Sequence, residues 1–219
     1  MANKKSHQLK YIAEGVDIFQ PGSRKRVLRN KLHIIHVGDI EDAELAAYLR
    51  VEQTLVREYT AVHRFTVEDV NHIHRLFLGE IYDWAGRYRN VTLSKGGFPF
   101  ASAMVIPQVM REFERRTLAR YTPCPATAVD TIAECIAVVH AEFLLIHPYR
   151  EGNGRTARLL ATLMAYQAGM PGLDFGFIGS RGREFERYIS AIHAGVREDY
   201  HPMTAIMNRA LTRALWKSR

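Results

Sequence analysis

The chain has 219 residues, 47% of them hydrophobic, which is enough to bury one sizeable core and makes a single domain the simplest expectation. Its net charge of +7 is scattered and not gathered into a basic stripe with interleaved aromatics, so nucleic-acid binding as the main role is disfavoured. No apolar run reaches the roughly 18 residues of a membrane span or follows the basic start as a secretory signal would, so a cytoplasmic protein without membrane contact is expected.

The predicted elements are mostly helices. Residues 1–20 are polar and are expected to form an extension before a domain at 21–219. Thr66-Val67-Glu68-Asp69 is typical of a helix N-cap followed by an acidic first turn. Apolar residues at helical spacing predict helices over 43–62, 70–77, 107–119, 126–146, 153–168, 182–194 and 203–216. In the first of these, Leu45, Leu49, Leu55 and Val56 are the expected apolar positions.

One segment differs from this helical pattern. Residues 90–103 hold β-branched and aromatic residues around Gly96-Gly97, which predicts a hairpin. The expected fold class is therefore all-α, a mostly helical single domain with one short β-hairpin. Cys124 and Cys135 form no metal-ligand pattern and are interpreted as free thiols in a reducing compartment.

A polar stretch between two apolar helical segments carries most of the chemistry. It reads His147-Pro148-Tyr149-Arg150-Glu151-Gly152-Asn153-Gly154-Arg155 and continues to Arg158. The glycines let backbone N–H groups point into the loop, and the outgoing helix begins there with its positive dipole end. Arg155 and Arg158 are three residues apart, so both project from one side of the first turn. The stretch predicts an anion site with a polyphosphate as its natural ligand.

Each of these features is common when it occurs alone. Gly-Asn-Gly is a frequent turn, arginines near a helix start are often only solvated, and a lone histidine is more often a buried structural residue than a catalyst. Here a candidate base, a carboxylate, an anion loop and two cations occur together at fixed spacing. That combination favours a functional site.

The stretch resembles the core motif of the Fic family, written H-[PX]-[FY]-x-[DE]-G-N-G-R-x-x-R, with Tyr149 in place of the commoner Phe. Two further segments are similar to family sequences: Val27-Leu28-Arg29-Asn30-Lys31-Leu32 and Ile81-Tyr82-Asp83-Trp84-Ala85-Gly86-Arg87-Tyr88-Arg89. The similarity runs from about Gly15 to about Leu211. The resemblance implies transfer of AMP from ATP to a hydroxyl of a target protein, called AMPylation, with Mg²⁺ as cofactor.

The resemblance also implies roles for the motif residues. His147 would be the general base that takes the proton of the target hydroxyl. Glu151 would hold Mg²⁺, an ion that prefers carboxylate and phosphate oxygens. Arg155 would pair with the β-phosphate and Arg158 with the γ-phosphate.

The glycines of the motif would form the anion loop. Backbone N–H groups of Gly152, Asn153 and Gly154 would stabilise charge on the α-phosphate as it is attacked. Pro148 and Tyr149 are expected to be structural, Pro148 by ending the incoming helix and Tyr149 as a buried anchor whose hydroxyl needs a partner.

The hairpin corresponds to the flap of the family, to which an extended target segment would pair by strand addition. Gly96 and Gly97 would supply its turn, while Phe98 and Phe100 would either clamp the target or pack into the core. Arg150 is expected to face solvent.

The adenine pocket is the least specific implication. Tyr188 and Asp199-Tyr200 are candidate neighbours of the base, and the preference for ATP depends on family analogy alone.

Many family members carry an inhibitory helix with the motif [ST]-x-x-x-E-[GN], whose glutamate pairs with the second motif arginine. The one Glu-Gly outside the core motif is Glu14-Gly15, and Lys10 stands four residues before it where Ser or Thr is required. By family precedent, the glutamate would then come from a small separate antitoxin, which would make this chain the toxin of a pair.

Other readings stay open. A kinase resembling the Doc proteins would carry a lysine-containing loop, against which Gly154-Arg155 argues. A transferase that uses another phosphate donor would bind the pyrophosphate group of that donor with the same loop. A non-enzymatic binding module is the third alternative. The sequence does not identify the target, and nothing in it distinguishes a cytoplasmic enzyme from one that is secreted into a host.

Overall fold

The computed structural model describes residues 19–95 and 98–218, except for the side chain of Lys95. In chain order its elements are α1 Val37–Glu58, α2 Val67–Leu78, β1 Ser94–Lys95, β2 Phe98–Pro99, α3 Ile106–Phe113, α4 Ala119–Tyr121, α5 Val129–Ile146, α6 Asn153–Gln167, α7 Arg183–Ala194 and α8 His201–Lys217. A π-helical turn, Glu114–Leu118, joins α3 to α4. The predicted all-α fold with one short hairpin is confirmed.

The centre of the fold is α5, which is apolar on nearly every side. Its residues from Ile132 to Ile146 are buried except Glu134, Glu142 and Leu145, as expected of a helix surrounded by other helices. It packs against α3, α6, α7 and α8. Because α6 follows α5 after a short loop, the ends of two core helices hold the polar motif in place.

The predicted N-cap of α2 at Thr66 is confirmed, although the helix begins at Val67, three residues before the predicted start at 70. Thr66 Oγ1 accepts a hydrogen bond from the Asp69 backbone N–H at 3.2 Å, and Asp69 Oδ2 accepts one from the Thr66 N–H at 2.7 Å. Such a capping box satisfies two of the donors that a helix start leaves unpaired. It sets the position of α2, which packs against both α1 and α6.

The helix predicted over 43–62 is present as α1, but its apolar residues do not form one buried face. Leu45 and Leu49 are 55% and 57% exposed, and Val56 is exposed as well, whereas Leu55 is buried. The helix also begins at Val37, six residues before the predicted start. The inward face consists of Ile40, Glu44, Ala47, Val51 and Leu55. The apolar spacing did not identify the inward face, because α1 has apolar residues on two sides and a carboxylate, Glu44, on its inward side.

Four other predictions concern the chain ends, the cysteines and the membrane. Glu14-Gly15 lies outside the described residues, and the division into an extension at 1–20 and a domain at 21–219 stays a prediction. Both cysteines are free, with Cys135 buried and Cys124 half-buried. Within the part of the chain that the structure describes, no helix has the length and apolar character needed to cross a bilayer.

Candidate active site

His147 terminates α5. Its backbone adopts the left-handed conformation with φ of +53°, and Pro148 follows, so the helix cannot continue. The side chain is buried, and Nδ1 lies 3.2 Å from the Leu144 carbonyl oxygen. A carbonyl only accepts, so Nδ1 carries the proton and Nε2 is the basic nitrogen. That tautomer suits a general base.

The loop after His147 is closed by its own side chains. Asn153 Oδ1 accepts from the Tyr149 N–H at 2.8 Å, and Asn153 Nδ2 donates to the Tyr149 carbonyl at 2.8 Å. Tyr149 is fully buried, as predicted, and its hydroxyl donates to Asn71 Oδ1 at 2.8 Å. The Asn153 side chain is therefore a structural clasp, and only its backbone N–H remains for the predicted anion loop.

Gly152 occupies a position that other residues do not tolerate. It caps α6 with φ of +81°, and a Cβ there would lie 2.7 Å from Leu78 Cδ1 and 3.3 Å from His74 Nε2. The glycine lets the loop approach α2 and lets α6 start with its first N–H groups on the loop side. Gly154 is different, because nothing lies within 4 Å of a Cβ built on it.

His74 on α2 braces this loop. The Gly86 N–H donates to Nδ1 at 2.8 Å, so the proton is on Nε2, which donates to the Glu151 carbonyl at 3.0 Å. The imidazole stacks on the Tyr149 ring with centroids 3.8 Å apart. Burial lowers the pKa of His74 to about 3, so the ring stays neutral and keeps this hydrogen-bond pattern.

Glu151, the predicted metal ligand, is half-buried and folds back on the loop. Its Oε1 accepts from the Gly152 N–H at 3.0 Å and lies 3.5 Å from Arg155 Nη2. A carboxylate at the start of a helix is favoured by the helix dipole.

Arg155 has a partner that the sequence did not indicate. Its Nη2 lies 2.6 Å from Glu44 Oε2 on α1, and Tyr82 donates its hydroxyl hydrogen to Glu44 Oε1 at 2.5 Å. Glu44 is buried. Burial, together with Glu44, raises the pKa of Tyr82, so the phenol remains a donor. Two carboxylates, Glu44 and Glu151, thus already compensate the charge of Arg155.

Arg158 has a neutral environment. Its guanidinium lies over the rings of Phe175 and Tyr188, at 5.2 Å and 5.8 Å from their centroids, and it hydrogen-bonds the Tyr188 oxygen. Tyr188 in turn lies 2.7 Å from His140 Nε2. His140 Nδ1 faces the Ala157 carbonyl, so Nε2 is the acceptor and the phenol donates to it. Arg158 Nε is buried without a hydrogen-bond partner, and no described carboxylate forms an ion pair with Arg158.

The flap reaches His147, the predicted general base. Ser94 pairs with Pro99 and Lys95 with Phe98 in antiparallel register, while Gly96 and Gly97 lie outside the described residues. Phe100 stacks on the His147 imidazole with centroids 3.8 Å apart, and Phe98 stacks on His193 at 4.2 Å. Both phenylalanines are half-buried. Their predicted contact with a target segment stays a prediction.

Three residues with no predicted contact to phosphate remain, namely Arg150, Tyr188 and Tyr200. Arg150, expected to face solvent, is half-buried. The hydroxyl of Tyr188 serves His140, and that of Tyr200 donates to Glu142 Oε1 at 2.6 Å. Neither hydroxyl points to a base-recognition role, and the assignment of Tyr188 and Asp199-Tyr200 to an adenine pocket stays a prediction.

Comparison with known proteins supports a family assignment. The sequence model of the Fic/DOC family matches residues 64–165. The chain is 25% identical over 203 residues to probable protein adenylyltransferase y4lH of Sinorhizobium fredii, covering 93% of this chain and all of that protein. It is 28% identical over 144 residues to protein adenylyltransferase VbhT of Bartonella schoenbuchensis, covering 65% of this chain and 30% of VbhT.

The fold is also shared with solved structures. One is the N-terminal Fic domain of a VirB-translocated effector from Bartonella quintana, solved with bound ADP. It superposes with a TM-score of 0.68 at 21% identity, over 87% of this chain and 94% of that one.

Proposed function

We propose that this chain is a protein adenylyltransferase that moves AMP from ATP to a hydroxyl of a target protein, because residues 64–165 match the sequence model of the Fic/DOC family. The names of its relatives y4lH and VbhT support this activity. The observation that carries the proposal is the turn between α5 and α6, where a basic imidazole nitrogen ends one helix and the next begins with its N-terminus, followed by the uncompensated cation Arg158 in the second turn of α6.

The chemistry follows from these groups. Nε2 of His147 takes the proton of the acceptor hydroxyl while the hydroxyl oxygen forms a bond to the α-phosphorus. The bond from the α-phosphorus to the oxygen that leads to the β-phosphate breaks, and pyrophosphate leaves. N–H groups at the start of α6 stabilise charge on the α-phosphate, and Arg158 binds the terminal phosphate. Arg155 is proposed to reach the β-phosphate.

The residues present fit a Mg²⁺ ion bound together with the nucleotide. Glu151 offers one half-buried carboxylate, and no cluster of three His, Cys, Asp or Glu side chains within 19–95 and 98–218 could hold a metal unaided. Mg²⁺ commonly binds one or two carboxylates plus phosphate oxygens. When bound, the ion would neutralise phosphate charge. Excess chelator should silence transfer, and activity that survives chelation would remove Glu151 from this role.

The test is label transfer from ATP to protein. Label from α-labelled ATP supports AMP transfer, whereas label from γ-labelled ATP alone would overturn the proposal in favour of a kinase. His147→Asn should lower transfer about 10²–10⁴-fold while ATP binding persists. Asparagine is chosen because it tolerates the left-handed backbone better than alanine does. His201→Asn, at an exposed histidine, is the control and should transfer normally.

We further propose that control comes in trans from an antitoxin-like protein that places a glutamate against Arg158. The absence of the [ST]-x-x-x-E-[GN] motif and the lack of an ion pair to Arg158 among the described residues support this proposal. The purified chain should then be active alone, and expression without its partner should be toxic unless His147 is replaced. A chain that is inert until Glu14 is changed to Gly would contradict it.

A further inference from the structure

Arg89 is a buried cation with an unusual set of partners. It is 4% exposed and lies between α2 and β1. Its Nε donates to the His147 carbonyl at 2.8 Å, Nη1 to the Val91 carbonyl at 2.6 Å and Nη2 to the Ala101 carbonyl at 2.5 Å. None of the carboxylates in the described residues forms an ion pair with it. Three backbone carbonyls thus replace the usual counter-ion.

The three carbonyls belong to the two legs of the flap and to the end of α5. Val91 lies before β1 and Ala101 after β2, so the guanidinium holds both legs of the flap. The third carbonyl belongs to His147, and the Arg89 backbone N–H donates to the next carbonyl, that of Pro148, at 2.9 Å. These acceptors stand at the carboxyl end of α5, where the helix dipole favours a cation. The donors of a guanidinium are spread over three nitrogens of a rigid planar fork, so they reach acceptors that lie farther apart than the single nitrogen of a lysine can reach.

The flap needs such an anchor because it has little structure of its own. Its strands are two residues long. One more backbone hydrogen bond crosses its base, from the Phe100 N–H to the Leu93 carbonyl at 3.1 Å. An isolated two-stranded hairpin is marginally stable in water. Its position against the His147 loop therefore depends on contacts beyond its own strand pairing, which are the stack of Phe100 on His147 and the hydrogen bonds of Arg89.

We propose that Arg89 is a positioning residue that fixes the flap relative to His147. A target strand paired with the flap then presents its hydroxyl at a set distance from Nε2 of His147. This inference rests on the proposed transfer reaction, but the anchoring itself can be measured without it.

The experiment uses the full chain and compares Arg89→Lys with Arg87→Lys. Arg87 is a matched control two residues away, because it is exposed and its side chain donates, among the described residues, only to the Asp83 carbonyl, at 2.5 Å. Arg89→Gln is a second variant that removes the buried charge, in case the lysine variant does not fold. The first measurement is hydrogen–deuterium exchange of amides 93–101 relative to those of α5 and α8. The second is self-labelling from α-labelled ATP, analysed for kcat and for the KM of ATP.

We expect exchange in 93–101 to rise about tenfold in the Arg89 variants while α5 and α8 keep their protection. We expect kcat for self-labelling to fall about 100-fold, because a displaced flap would misplace the acceptor hydroxyl. The KM of ATP should stay within about twofold of the wild-type value, because the nucleotide does not bind to the flap. Unchanged flap exchange, or protection lost evenly over the whole chain, would overturn the inference. If flap exchange rises but the wild-type chain transfers no label, the anchoring stands and the proposed function fails.

Discussion

The two motif arginines differ in what compensates their charge. Arg155 faces Glu44 at 2.6 Å and Glu151 at 3.5 Å, whereas Arg158 lies over aromatic rings and hydrogen-bonds a neutral phenol. A phosphate group that enters the site would meet an uncompensated charge at Arg158. At Arg155 it would compete with Glu44. The two arginines look equivalent in the sequence motif, but their charges are compensated differently in the structure.

Glu44→Gln should therefore tighten ATP binding while it destabilises the fold. One negative charge leaves the edge of the proposed phosphate site, and we expect the Kd for ATP to fall about tenfold, which corresponds to about 1.4 kcal/mol. The free energy of unfolding should decrease by about 2 kcal/mol, because Arg155 and Tyr82 lose a charged acceptor. Titration calorimetry and denaturant unfolding measure the two effects.

The control for this variant is Glu41→Gln, which removes the same charge from an exposed position of α1. It should alter neither quantity. Weaker ATP binding by Glu44→Gln would show that Glu44 holds Arg155 in its phosphate-binding position and does not compete with the nucleotide.

At the scale of elements, the turn from α5 to α6 is built from two residues in the left-handed conformation, His147 and Gly152. The Asn153 clasp and the His74 brace fix the segment between them. The loop is therefore rigid before any nucleotide binds, which reduces the ordering cost of binding. The two glycines of the motif contribute unequally to this rigidity.

Gly152→Ala and Gly154→Ala test that difference. At Gly152 a methyl group meets Leu78 at 2.7 Å and the backbone φ is +81°, so we expect a loss of about 1–3 kcal/mol in the free energy of unfolding. At Gly154 the added methyl meets nothing within 4 Å in a helical backbone, so stability should be kept or slightly raised. Thermal and denaturant unfolding measure both variants. Equal losses would show that the strain at Gly152 is relieved elsewhere.

At the scale of the whole molecule, chain-local features could be predicted and long-range partners could not. The α5–loop–α6 unit follows from apolar periodicity on either side of a glycine loop, and the α2 cap follows from Thr66 and Asp69. Glu44 lies 111 residues from Arg155, and Arg89 lies 58 from His147. No spacing rule connects such positions, because tertiary packing brings them together.

Stability should fall as the pH drops below neutrality. Burial lowers the pKa of both His74 and His140 to about 3, from about 6.5 in the unfolded chain. The unfolded chain therefore binds protons that the folded chain rejects, so this contribution is fully present above pH 6.5 and is lost progressively toward pH 3. Each histidine should contribute a slope of about 1.4 kcal/mol per pH unit.

Denaturant unfolding between pH 7.5 and pH 5.0 isolates this effect, because most carboxylates titrate below that range. His74→Gln and His140→Gln should each flatten the pH dependence by about one histidine's slope, whereas His201→Gln, at an exposed site, should not. A wild-type chain whose unfolding free energy is constant over this range would contradict the prediction.

The stacking of Phe100 on His147 bears on how fast water, in place of an acceptor hydroxyl, hydrolyses ATP in the site. Any base that activates a hydroxyl can also activate water, and every such event splits ATP to no purpose. The hydrocarbon ring of Phe100 against one face of the imidazole excludes solvent from that face. Phe100→Ala should then release AMP and pyrophosphate without an acceptor about tenfold faster than the wild type. Phe98→Ala, whose ring lies on His193 instead, should show no such leak. Equal leakage from both variants would mean that the whole hairpin, and not this ring, protects ATP from water.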